Sequence, residues 1–295
     1  MAFSGVATNR TNIELPPEVS AEILQKTQEE SAIMRMARQI TLPGRGVEIP
    51  VITSDPTAEW VSETGVKPVS NPGLSKKVMS AYKLAVIVPF SNEFRRDAAG
   101  LYDQLVARLP LALAKQFDQT VVGGSAPGSN FTTLAGCETQ DISSDTYAAL
   151  VAADADIADN GGILNGFALS PQAKSVLLAD TDDNGRPLFI NSVAEGAIPM
   201  ILGAPTVMSK GIYVPGADEN IVGVAGDWTQ AVYGTVEGVR IDYSSDATLV
   251  TGESGDESFI NLFQQNMFAV RAEIEVGFVA DANCFNLLTA AVASA

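Results

Sequence analysis

Residues 267–278 read MFAVRAEIEVGF. Phe268, Val270, Ala272, Ile274, Val276 and Phe278 share one parity; Ala269, Arg271, Glu273, Glu275 and Gly277 share the other. Successive strand side chains point to opposite faces, so a period of two held this long predicts a long strand with one buried and one polar face. The acidic GESGDES at 252–258 before it reads as an exposed loop. Further upstream lie five short apolar runs: PMILG (199–203), PTVMS (205–209), NIVGVAG (220–226), AVYGTV (231–236) and VRIDYS (239–244). Ser144-Asp145 caps a predicted helix carrying Tyr147, Leu150, Val151 and Ile157, which Gly161-Gly162 stops. A strand, GFALS (166–170), leads into a helix with Pro171 at its first position. Helices mixed with short strands define an α+β chain.

The first half reads differently. Leu101, Leu105, Leu109, Leu113, Phe117 and Val121 keep i+4 spacing, which predicts a long helix over 97–122 with Asp97 as its cap. Pro110 lies inside that pattern and is expected to kink or divide the helix, because an interior proline costs about 3 kcal/mol. Residues 47–90 hold two extended runs, one at Val47, Ile49 and Val51 and one at Val78, Tyr82, Leu84, Val86 and Val88, joined by a long polar connection. These read as the arms of a β-hairpin. An isolated two-stranded hairpin is marginal in water, so such an arm needs another surface, most naturally a neighbouring subunit. Before it, Val19, Ile23, Thr27 and Met34 make an amphipathic helix that starts at Pro16-Pro17 and stops before Pro43-Gly44-Arg45-Gly46.

Composition removes whole classes of chemistry. The 295 residues contain no histidine, which excludes Ser-His-Asp and Cys-His catalysis and histidine-ligated metals. Cys137 and Cys284 are the only cysteines; they cannot build a four-cysteine site and read as small buried apolar residues. The first residues show no basic segment followed by an apolar run, so no signal peptide is expected, and no uncharged stretch is apolar enough to span a membrane. Residues 1–140 carry 13 basic and 14 acidic side chains, whereas 141–295 carry 5 and 21, for a total net charge of −17. Such a chain repels phosphate backbones and is not expected to bind nucleic acid directly.

Candidate sites are few. In DTDDNG, Asp180, Asp182, Asn184 and Gly185 match the first positions of a calcium loop, but Asn191 stands where the bidentate glutamate belongs, so a polar Asx turn is expected and no metal. Gly123, Gly124 and Gly128 are followed by no Gly-Lys-Ser/Thr, so no nucleotide cofactor is expected. Trp60, in the polar connection of the hairpin, reads as an interface anchor; Trp228, in GDWTQAV, reads as core.

The order of segments resembles one family. The stretches are LPPEVSAEILQKTQEESAIMRMARQITLPGRGVEIPV (15–51), AEWVSETGVKPVS (58–70), KLAVIVPFSNEFRRDA (83–98), FDQTVVGG (117–124), FALSPQAKSVLLADTDDNGRPLF (167–189), GAPTVMS (203–209), VAGDWTQAVYGTVEGVRI (224–241) and NLFQQNMFAVRAEIEVGF (261–278). No single stretch is specific, but the ordered set resembles the major capsid proteins of tailed bacteriophages, with the Hong Kong 97 phage-type capsid fold. The resemblance implies an N-terminal arm at 1–37, an extended loop over the adjacent subunit at 38–90, a peripheral domain with a spine helix at 91–140 and 250–295, and an axial domain at 141–249. It implies a structural protein without catalysis that self-assembles, as hexamers and pentamers, into an icosahedral shell around double-stranded DNA. Scaffold, portal and decoration proteins would be its further partners, the virion capsid its place, and the bacterial host cytoplasm its site of assembly. Because the arm begins almost at Met1, a separate scaffold or none is expected. Lys67, Lys76 and Lys77 lie in the extended loop where some members form Lys–Asn cross-links, but no partner Asn or assisting Glu is assignable here. Assembly contacts are expected at Val19, Ile23, Met34, Trp60, Val78, Tyr82 and Val86. The alternatives are an encapsulin-type nanocompartment shell protein of the same fold and, from another class, a soluble acidic enzyme or binding domain.

Overall fold

A computed structural model describes residues 27, 31–44, 46–54, 56–63, 66–70, 73–91, 98–181, 188–189, 200–251 and 258–291. The strand expected at 268–278 is β14, Met267–Ala280 in a numbering that counts β1 (Arg38–Thr41), β2 (Val47–Ser54), β3 (Gly73–Met79), β4 (Tyr82–Ser91), β5 (Glu138–Asp141), β6 (Gly166–Leu169), β7 (Met200–Ile201), β8 (Ala204–Met208), β9 (Glu219–Gly226), β10 (Ala231–Thr235), β11 (Arg240–Ser244), β12 (Thr248–Thr251), β13 (Ser258–Asn261) and, last, β15 (Phe285–Ala291). The helices are α1 (Ala32–Met36), α2 (Ala98–Val122), α3 (Thr146–Asp159) and α4 (Pro171–Ala179).

β14 is the hub of a five-stranded sheet. It pairs antiparallel with β4, β10 and β11, and β1 lies parallel to β10 at the end of the sheet. Its alternation does what the sequence predicts. Val270, Ala272, Ile274 and Phe278 are buried, while on the other face Arg271 pairs with Asp242, and Lys83 bridges Glu273 (2.9 Å) and Glu275 (3.2 Å). α2 lies against the buried face. Leu109 and Leu113 enter one cluster with Phe268, Val270 and Ile274, and Phe117 and Val121 enter the next with Tyr233, Val276 and Phe278. Phe117, Phe131 and Phe278 meet there at centroid separations of 6.1–6.4 Å. The helix runs through Pro110 as a single 25-residue element, so the proline does not divide it. One missing backbone bond in so long a helix is outweighed by the apolar stripe that its length buries.

A six-stranded sheet, ordered β5-β15-β9-β6-β8-β7, forms the second layer and is covered by α3 and α4. The helix starts agree with the sequence: Asp145 accepts the Ala148 N–H at 3.0 Å, and Ser170 accepts that of Ala173 at 3.2 Å with Pro171 next in line. Trp228 is core as expected; its indole N–H donates to the Gly166 carbonyl at 3.0 Å. β10 and β11 belong with β14, while β15 belongs with β9, so the expected boundary near 249/250 does not follow the sheets.

The hairpin differs from expectation. β2 pairs with β3, not with the run at Tyr82–Val88, which is β4 of the main sheet. The chain crosses from hairpin to sheet at Ser80-Ala81. Room for that crossing comes from two glycines paired across β10 and β14, Gly234 and Gly277. A Cβ on Gly234 would stand 2.5 Å from Leu42, and one on Gly277 would stand 2.6 Å from the Ser80 carbonyl oxygen. The hairpin foot is anchored by Met79, buried with Leu42, Val232 and Val279, and by Lys77, which donates to the Ala280 carbonyl at 3.1 Å.

Candidate assembly surfaces

The connection between β2 and β3 is exposed at its described residues 56–63 and 66–69. Thr57 N–H donates to Ser70 Oγ at 2.8 Å and ties the two sides of the tip together. Beyond that tie Trp60 is fully exposed, and Val66 and Val69 are 95% and 88% exposed. Leaving a tryptophan in water forgoes roughly 2 kcal/mol or more of burial. Trp60 is thus exposed in the polar connection of the hairpin, where the sequence places it. Val78, on β3, is 41% exposed.

Three of the expected contact residues have partners within the chain itself. Met34 is buried together with Ile33 in the chain's own core and presents no outward face. Tyr82 is on β4, where its ring meets Phe131 edge-on at 6.1 Å and its hydroxyl oxygen accepts the Asn130 N–H at 3.2 Å. Val86, also on β4, packs half-buried over the α2–β14 cluster. Both follow from the crossing at Ser80-Ala81, which removes β4 from the hairpin. Val19 and Ile23 lie outside the described residues, as does most of DTDDNG; its Asp180 ends α4. Among the described residues no group of three or more carboxylates or cysteines could hold a metal ion, and no helix is long and apolar enough to cross a membrane.

A node that sequence reading missed joins the N-terminal segment to the long helix. Asp118 of α2 is fully buried. Its carboxylate accepts from Ser31 Oγ (2.5 Å), Ala32 N–H (3.1 Å) and Ser209 Oγ (2.9 Å). Burial pushes its pKa up from 3.8 to about 6, against the opposing pull of the Ser31 and Ser209 hydroxyls and the Ala32 and Ile33 N–H groups. Ser31 also caps α1 by accepting the Met34 N–H at 3.1 Å. An acid beside Phe117 on the buried stripe is the available signal, but its donors come from segments 87 and 91 residues away, which no local pattern reveals.

Both cysteines are free and buried. Burial pushes the Cys137 thiol up to about 12, and burial also raises that of Cys284. A thiol-reactive chromogenic disulfide at pH 8 should therefore label neither cysteine in the folded chain and both in denaturant; rapid native labelling would contradict this packing.

Solved structures share this architecture. A chain from Gordonia phage Cozz aligns with a TM-score of 0.72 at 24% identity, covering 90% of this chain and 87% of that one. The capsid of an empty GTA particle aligns at 0.61 and 15%, covering 89% and 90%. The fold is that of phage-type capsid subunits. The phage capsid family model matches residues 12–289, and the chain belongs to that family. A relative named "Probable major capsid protein gp17", from Mycobacterium phage D29, is 30% identical over 93% of this chain and 89% of its own length. The "Major capsid protein" of Staphylococcus phage 80alpha is 24% identical over 93% and 84%.

Proposed function

We propose that this chain is the major capsid protein of a tailed bacteriophage, a structural subunit whose copies close as hexamers and pentamers into an icosahedral head around double-stranded DNA. The observation that carries this reading is family membership over nearly the whole chain, 12–289, with relatives named as major capsid proteins. The exposed apolar tip of the hairpin supports it, because an outstretched arm ending in Trp60, Val66 and Val69 suits a neighbouring copy. The naming of these relatives as phage proteins favours a DNA-filled head over an encapsulin-type nanocompartment, and the role assigned is structural, without catalysis or cofactor. In this layout residues 1–37 form the arm, Val47–Met79 the loop laid over the neighbour, the α2–β14 layer the peripheral region and the six-stranded sheet the axial region. Val19, Ile23, Trp60 and Val78 are its proposed contacts. The net charge of −17 lets the shell enclose DNA without gripping it. Scaffold, portal and decoration proteins are its proposed partners, and the host cytoplasm its site of assembly.

Size-exclusion chromatography with negative-stain electron microscopy of the full chain, alone and with proteins encoded beside it, tests this reading. Closed shells, or hexamers and pentamers that become shells, are expected. A monodisperse monomer under every condition would overturn it, and shells that purify with an enzyme as cargo would move it to the nanocompartment class.

A further inference from the structure

A cleft of about 550 Å³ opens between the α1–β1 segment and the six-stranded sheet. Met36, Pro205, Val207 and Trp228 line it with apolar surface, and Arg35 and Arg38 stand exposed at its rim. Neither arginine makes an ion pair among the described residues. The nearby carboxylate of Asp227 is already committed: it accepts from Asn165 Nδ2 (2.7 Å), Thr229 Oγ1 (2.6 Å), Thr229 N–H (3.0 Å) and Ile163 N–H (3.2 Å). Two guanidinium groups without an ion-pair partner among the described residues, set over an apolar floor, stand out in a chain with 35 acidic and 18 basic side chains. β1, which carries Arg38, is also the end strand of its sheet, so its outer edge has no strand partner among the described residues.

We infer that this cleft is a docking site for a carboxylate-bearing segment of a second copy of the chain, with Arg35 and Arg38 pairing its acid groups and the apolar floor taking its flanking side chains. Charge selects this occupant. Residues 141–295 supply 21 acidic against 5 basic side chains, so a neighbouring copy offers carboxylates in excess, whereas a polyanionic nucleic acid is repelled by the same net charge. Guanidinium forks match carboxylates in paired geometry, and the open edge of β1 can add backbone hydrogen bonds to an extended segment. The inference rests on the shell reading proposed above.

The test uses shells assembled from an equal mixture of ¹⁵N-labelled and unlabelled full-length R35K/R38K chains. Lysine keeps the charge and lets a water-soluble carbodiimide join it to a touching carboxylate. Mass spectrometry should find position 35 or 38 of one isotope linked to an Asp or Glu peptide of the other. In parallel, an arginine-selective dicarbonyl should label Arg35 and Arg38 of the wild-type chain before assembly and spare them in shells. R35E/R38E should raise the threshold concentration for assembly at least tenfold while leaving the thermal midpoint of the unassembled chain unchanged. Shells whose cross-links stay within one chain, its own residues 1–30 included, would overturn the inference and leave the capsid reading intact, as would equal labelling of both arginines or an unchanged threshold in R35E/R38E. A wild-type chain that never forms shells would overturn both.

Discussion

Replacing Asp118 by alanine is expected to lower the unfolding free energy by about 2–4 kcal/mol at pH 7, read from urea denaturation. The carboxylate is the common acceptor for Ser31, Ala32 and Ser209, and its removal orphans a backbone N–H and two hydroxyls in a site without solvent. Asp118→Asn should retain most of the stability, because its carbonyl oxygen can accept from Ala32 while its amide donates to Ser31 Oγ. The two variants separate the hydrogen-bond node from its charge. The folded pKa of about 6 lies above the ordinary 3.8, so between those values the native state holds a proton that the unfolded chain has released. Stability from this group is therefore complete below about pH 4 and is lost as pH rises through 6, by about 3 kcal/mol in full. Between pH 7.5 and pH 5 the wild type should gain stability relative to Asp118→Asn. A difference between the two that stays flat over that range would refute the buried-charge account, and an alanine variant as stable as wild type would refute the node itself.

Trp60→Ala should leave the fold untouched and abolish or sharply impair assembly. The side chain is fully exposed, so its loss removes no contact within the chain, and the thermal midpoint should match wild type within error. At a subunit contact, truncating a buried tryptophan anchor costs about 2–4 kcal/mol. Each 1.4 kcal/mol is tenfold in affinity, so a threshold concentration for shells should rise by roughly 30- to 1000-fold. Tyr82→Ala makes the opposite comparison. Its ring is committed to Phe131 and its hydroxyl to Asn130, so that variant should lose stability as an isolated chain. Light scattering against protein concentration, alongside thermal unfolding of unassembled protein, distinguishes the two. Normal assembly by Trp60→Ala would remove the hairpin tip from the proposed interface.

What was legible in the sequence were features whose causes are local. The two-residue period of 268–278, the i+4 stripe ending at Val121, and the caps at Asp145 and Ser170 each reflect neighbours on one element, and each appears in the fold. β3 was missed because GLSKKVM has no alternation to display; it is held by β2 and by the burial of Met79 at its end. The parity shared by Val78 and Tyr82 then suggested one continuous arm, while the chain changes sheets between them. β15 was missed for the opposite reason. FNLLTAA is buried at six of seven positions between β5 and β9, so it has no polar face to betray its period. The exposed tryptophan is legible because a polar surrounding marks a loop, whereas the burial of Met34 in its own core is not, because one apolar helical face looks the same whether its own core or a neighbour covers it.

The hub position of β14 governs the order of events at the ribosome. β4 and its partner β14 are 176 to 194 residues apart, and β5 waits for β15 near the end of the chain. At roughly 5–20 residues per second, the ribosome works for about 10–40 s after β4 is made before its partner emerges. Until then the buried face of α2 has no sheet to rest on. A truncated polypeptide therefore lacks the layer that anchors the hairpin foot through Ala280 and Val279, and cannot hold out a properly aimed hairpin. β14 and β15 thus act as a checkpoint: only a chain made through residue 291 acquires the shape that another copy can join.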